Sequence, residues 1–171
     1  MSAVQQFNTT INNFLKFLNE VIQNDDDIND LIELSYMLKM NIRLFITPFQ
    51  NFVLTDREYI HNILNSNSQY FIKHDFVNDN TIGKYSGAYS HKTEQIVNKI
   101  KAIVSKMHGN NIATIFKYMK LLIYYSVLDF NKQDSDAEKK TDMYLQLCIN
   151  YKPNNQYKSY NDTNYTIDKC V

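Results

Sequence analysis

The chain has 171 residues and a mass of 20.2 kDa, enough for one domain that buries roughly 70% of its unfolded surface without disulfides or metal. Hydrophobic residues make up 44% and aromatics 13%, which excludes global disorder, while three glycines and two prolines are too few for a turn-rich all-β fold. Eighteen basic residues balance eighteen acidic ones, and Arg43 and Arg57 are the only arginines, which disfavours nonspecific nucleic-acid binding, because that work draws its affinity from neutralised phosphates.

Apolar spacing predicts a first helix over about Val4 to Ile22. Phe7, Ile11, Phe14, Leu15, Leu18 and Ile22 fall on one side, with Asn12, Asn13, Lys16 and Asn19 on the other. Asn24-Asp25-Asp26-Asp27 then ends that helix and starts another, because carboxylates accept bonds from the free N–H groups of a helix N-terminus. The second helix is expected from Ile28 to Ile46, with Leu31, Ile32, Met37, Leu38, Ile42 and Phe45 available for burial. Pro48 is expected to stop it.

Thr55-Asp56-Arg57-Glu58 has capping-box spacing, with Thr55 as the N-cap of a short third helix ending near Asn65. Between Ser66 and Ser90, Tyr70, Phe71, Ile72 and Phe76 add either a helical turn or a core plug, and the stretch with Gly83 and Gly87 reads as loop. A fourth helix is expected from Lys92 to Met107, ended by Gly109. A fifth, capped by Asn110 or Asn111, follows from Ile112 to Leu128 on the stripe Ile115, Phe116, Met119, Leu122 and Ile123. A sixth is expected from Asp136 to Asn150 through Ala137, Tyr144, Leu145 and Cys148. The fold class is therefore all-α, a single bundle of about five to six helices. Residues 1–150 form the helical domain and 151–171 a polar, Tyr/Asn-rich extended tail.

The chemical motifs are sparse. Asp25, Asp27 and Asn29 imitate the start of a calcium loop, but Asp30 stands where glycine is needed and Tyr36 where a bidentate glutamate belongs. His61, His74, His91 and His108 are widely spread with no paired-ligand spacing. Cys148 sits on an apolar stripe, the place of a small buried side chain rather than a nucleophile. No phosphate-cradling glycine motif is present. These absences lead to the expectation of a non-enzymatic protein with no cofactor and no metal.

Lys99, Lys101, Lys106, Lys117 and Lys120 fall on the fourth and fifth helices, where lysines usually face water. The longest apolar run, Leu121 to Tyr125, is far below a membrane span, and the N-terminus lacks a secretory pattern. A soluble protein made in a reducing compartment is expected, with Cys148 and Cys170 as thiols. Tyr151, Tyr157, Tyr160 and Tyr165 alternate with Asn and Lys in the tail. Tyrosine combines apolar area with a hydroxyl, so these four are the candidate protein-binding residues.

Three segments carry a resemblance. They are Phe7-Asn8-Thr9-Thr10-Ile11-Asn12-Asn13-Phe14-Leu15, then Asn41-Ile42-Arg43-Leu44-Phe45-Ile46 leading to Phe49, and Ile115-Phe116-Lys117-Tyr118-Met119-Lys120-Leu121-Leu122. Together, across Phe7 to Ser126, the pattern resembles small all-helical proteins of large nucleocytoplasmic DNA viruses, many without an assigned activity. The resemblance implies a viral origin and supplies no catalytic residues. With the tail, it gives the expected role: a structural, protein-binding component of a large DNA virus particle, such as a minor capsid or assembly protein, with capsid subunits as partners. Its expected location is the virion or the cytoplasm of an infected cell. A soluble regulatory or host-directed binding factor is the alternative, and a nucleic-acid accessory protein acting through the lysines of the fourth and fifth helices ranks third.

Overall fold

The computed structural model describes residues 1–54, 56–74, 101, 105 and 109–152. Among them are seven α-helices and one 3-10 turn, with no β-strand, so the fold is all-α. In chain order these are α1 (Ala3–Val21), α2 (Asp26–Ser35), the 3-10 turn Tyr36–Lys39, α3 (Ile46–Val53), α4 (Arg57–Leu64), α5 (Ser68–Lys73), α6 (Gly109–Phe130) and α7 (Ala137–Ile149).

Local chemistry fixes most of these starts. Ser2 Oγ accepts from Gln5 N–H while the Gln5 side-chain oxygen accepts from Ser2 N–H, a reciprocal capping box ahead of α1. Asp25 Oδ1 accepts from Ile28 N–H at the head of α2, so this acidic residue caps a helix. The residue before it, Asn24, turns with φ 65°, a left-handed conformation that asparagine tolerates.

Four expected boundaries differ. The helix expected from Ile28 to Ile46 breaks at Ser35, tightens into the 3-10 turn, and gives way to α3. Pro48 sits in the first turn of α3 rather than stopping a helix, because its missing N–H has no acceptor to serve there. The N-cap of α4 is Asp56, whose Oδ1 accepts from Glu58 N–H at 2.7 Å, and not Thr55. Gly109 opens α6 without a positive φ, and Asn110 and Asn111 lie inside that helix. Glycine's helix penalty is only about 1 kcal/mol, and the apolar contacts of the residues that follow outweigh it. The helix expected over Lys92 to Met107 lies outside the described residues, apart from Lys101 and Ser105, which are helical.

The long helix α6 organises the interior because it is apolar on more than one side, the mark of a central helix. Phe116, Ile123 and Val127 pack with Val53, Leu54, Ile60, Ile63, Tyr144 and Cys148. Leu122 packs with Val4, Phe7 and Ile46, and Ile115 with Leu18 and Ile28. One helix thus touches α1 and α3 in one direction and α4 and α7 in another. Aromatic contacts extend this core: Phe7 meets Phe49 edge-on at 5.3 Å, and Phe14 stacks on Tyr118 at 5.3 Å. Among the described residues no helix is long and apolar enough to cross a membrane.

Candidate protein-binding surface

The stretch between α2 and α3 is built the opposite way from the core. As α2 ends, the Ser35 hydroxyl donates back to the Ile32 carbonyl at 2.6 Å, and Met40 N–H and Asn41 N–H both turn back to the Met37 carbonyl. The Asn41 side-chain oxygen accepts from Arg43 N–H at 3.1 Å, an Asx turn that points the chain into α3. Leu38 alone between residues 36 and 42 is buried. Tyr36, Met37, Met40 and Ile42 are 69%, 46%, 81% and 52% exposed.

This segment is nonetheless tied down. The Asn8 amide of α1 donates to the Ile42 carbonyl at 2.8 Å. Immediately after, Arg43 places a two-pronged grip on Asp129 near the end of α6, at 3.3 Å (Nη1 to Oδ1) and 2.7 Å (Nη2 to Oδ2). Gln50 of α3 braces the pair: its amide donates to Asp129 Oδ2 at 3.2 Å and to the Ser126 carbonyl at 2.9 Å, and its oxygen accepts from Arg43. Lys132 approaches Asp129 Oδ1 at 3.5 Å.

Burial alone would raise the Asp129 carboxyl. The hydrogen bonds from Arg43 and Gln50, with the charges of Arg43 and Lys132, outweigh burial and hold it below the ordinary carboxylate range. The hydrogen bond to Asp129 correspondingly raises Arg43. A carboxylate so engaged is a fixed counter-ion rather than a proton shuttle. The cluster anchors the segment, and the segment displays apolar side chains.

A second apolar surface lies on α7. Its inner side buries Thr141, Tyr144 and Cys148, while Met143 and Leu147, one turn apart, are 38% and 49% exposed on the outer side. They share this outer face with Glu138, Lys139 and Asp142 of the same helix. Burial raises the Tyr124 hydroxyl, and the charges of Asp142 and Glu138 push it further up.

The other candidate residues have structural positions. Of the four tail tyrosines, Tyr151 is half-buried, with its ring edge-on to His61 at 6.0 Å; Tyr157, Tyr160 and Tyr165 lie outside the described residues. His61 Nδ1 lies 3.0 Å from the Cys148 carbonyl oxygen, so the imidazole donates to the end of α7. Asn65 adds a bond to the next carbonyl, that of Ile149. His74 Nε2 pairs with the Tyr59 hydroxyl at 3.3 Å, and its ring stacks on Tyr70. Lys101 donates to the His74 carbonyl, Lys117 is exposed and Lys120 half-buried, while Lys99, Lys106, His91 and His108 lie outside the described residues. Among the described residues no three His, Cys, Asp or Glu side chains gather where they could hold a metal.

The surface at 36–42 corrects an expectation, since Met37 and Ile42 were counted as available for burial. Tyr36, Leu38, Met40, Ile42, Leu44 and Ile46 recur at every second position, a rhythm that a single helix face cannot bury, so it marks the break in the helix; it does not mark the exposed side chains, since Leu38 and Ile46 of that series are buried.

No protein-family model, characterised protein or solved structure matches this chain.

Proposed function

We propose that this protein is a non-enzymatic binding module whose docking surface is the pinned segment Tyr36 to Ile42. The observation that carries the proposal is the pairing of four exposed apolar side chains with a backbone anchored by Asn8 and by the Arg43–Asp129 grip. Held in one conformation, such a segment loses little entropy on binding, which is the cost that weakens mobile loops. Methionine adapts to irregular partner surfaces, and tyrosine supplies apolar area with a hydroxyl at its edge.

The setting we propose is the particle of a large DNA virus, as a minor capsid or assembly component with capsid subunits as partners. Support for this finer reading is the sequence resemblance through residues 7–126, joined to a surface suited to assembly. A photo-crosslinking residue placed at Met40 in infected cells tests both levels. We expect a discrete protein adduct that Met37→Asp abolishes and that is found in purified particles. Crosslinking no stronger than from the exposed polar position Asn19 would overturn the docking surface. A strong adduct absent from particles would overturn the virion setting alone and favour the host-directed or regulatory role.

A further inference from the structure

Resting on that docking surface, we infer that Met40 and Met37 are its modification sites: hydrogen peroxide oxidises both thioethers, and the sulfoxides switch docking off.

Exposure selects these two sulfurs. Met40 is 81% and Met37 46% exposed, against 38% for Met143 of α7. Met119 is half-buried against the core that holds Phe116 and Ile123, and the Cys148 thiol is buried. Met1 is as open as Met40, but it precedes α1 and has no part in the segment. Met40 N–H donates to the Met37 carbonyl at 2.9 Å, the bond of a 3-10 turn, in which side chains three positions apart eclipse. The two thioethers therefore leave the turn on one side, while Leu38 between them is buried.

The chemistry needs that exposure and the peroxide. The thioether lone pair attacks one peroxide oxygen, and the S–O bond forms as the O–O bond breaks. The departing hydroxide takes the proton from the transferred oxygen and leaves as water. Sulfur is oxidised by two electrons and the peroxide is reduced by them. A polar, chiral sulfoxide then stands where a flexible apolar side chain stood. In the isolated chain water solvates the new oxygen. Against a partner it loses that water, and a polar group covered without a hydrogen bond weakens the contact.

The way the segment is held makes this a switch of binding and not of folding. Its anchors are the Asn8 amide on the Ile42 carbonyl, the Asn41 side-chain oxygen on Arg43 N–H, and the Arg43–Asp129 grip. None of them uses sulfur, so oxidation changes what the surface offers and leaves its backbone in place. The change is also reversible: a methionine sulfoxide reductase restores the thioether as two thiols pass to a disulfide and the oxygen leaves as water.

The test uses the purified full chain with a photo-crosslinking residue at Tyr36, treated with hydrogen peroxide, freed of it, and irradiated in an extract of infected cells. Peptide mass spectrometry should find sulfoxide at Met40 first, then at Met37, and at Met119 last. Circular dichroism and the urea midpoint should not move. Adduct yield should fall about tenfold, the scale set by one unpaired buried polar group, and recover after reductase treatment. A Met37→Leu, Met40→Leu double variant keeps the apolar volume without an oxidisable sulfur. Its adduct should be equally strong before and after peroxide. Oxidation of Met119 ahead of Met40, a urea midpoint that drops, an adduct that survives full oxidation of both sulfurs, or an equal loss in the double variant would each overturn the inference and leave the docking surface standing. An untreated chain that crosslinks no better than one carrying the same residue at Asn19 would overturn both.

Discussion

The α6-centred interior and the 36–45 segment reach order by opposite means. Around α6, side chains such as Ile123, Val127 and Tyr144 vanish from solvent, and the polar groups among them are spent locally. Ser126 donates to the Ile123 carbonyl, and Asn131 donates to the Thr141 hydroxyl. In the segment the anchors are polar, and Tyr36, Met37, Met40 and Ile42 face outward while Leu38 and Phe45 turn inward. The contrast teaches that apolar residues hold this fold together in one region and stay available to a partner in the other.

Cutting the interior should cost most. Ile123 is fully buried where α4, α6 and α7 meet. Ile123→Ala removes its methyl and methylene groups and leaves a cavity, so chemical denaturation should show a loss of about 3–4 kcal/mol. A loss below 1 kcal/mol would mean that α6 is not the centre of the packing.

Next in size is the polar anchor. Arg43→Ala leaves Asp129 buried with only Gln50 and Lys132 beside it. Because Arg43 is itself part-exposed, we expect about 2 kcal/mol rather than the roughly 3–5 typical of a fully buried pair. The loss should be smaller when Asp129→Asn accompanies it, as a double-mutant cycle would show.

The same grip makes acid a gentler probe. The Asp129 carboxyl is lowered in the folded chain, so its stabilising contribution is complete above the unfolded value near pH 3.9. That contribution is lost as pH falls from there through the lower folded value. Urea midpoints measured from neutral pH downward should therefore drop more steeply below about pH 4 in the unaltered chain than in Asp129→Asn.

The sequence conveys these regions unequally. In α1, α6 and α7 the apolar stripes state burial directly: Phe7, Leu15, Leu18, Ile115, Phe116, Leu122, Ile123 and Cys148 all lie where their spacing puts them. Between Ile28 and Ile46 the same reasoning fails, because it equates hydrophobicity with burial. What pulls this stretch out of one helix is an Asx turn at Asn41 and a side-chain grip between residues 43 and 129, whose partners are 86 positions apart. No local pattern encodes that pairing. Pro48 misleads in the same way, since its effect depends on whether its own N–H is needed. The outer face of α7 is half legible, as Met143 and Leu147 share one face but the spacing does not say which face turns inward.

The smallest expected effect is the sharpest test of the contrast. Ile42 and Ile46 are the same residue type, four positions apart on either side of Arg43, with one 52% exposed and the other fully buried against Val4, Phe7 and Leu122. Ile46→Ala should cost about 3 kcal/mol, and Ile42→Ala less than about 0.5 kcal/mol, because the water that already surrounds Ile42 leaves little to lose. The backbone bond from Asn8 to the Ile42 carbonyl survives either change, so the difference reports the side chains alone. If Ile42→Ala proves as costly as Ile46→Ala, its side chain is covered in the isolated protein, and the segment belongs to the core rather than to a docking surface. If stability is untouched while the Met40 crosslink weakens, Ile42 serves the partner and not the fold.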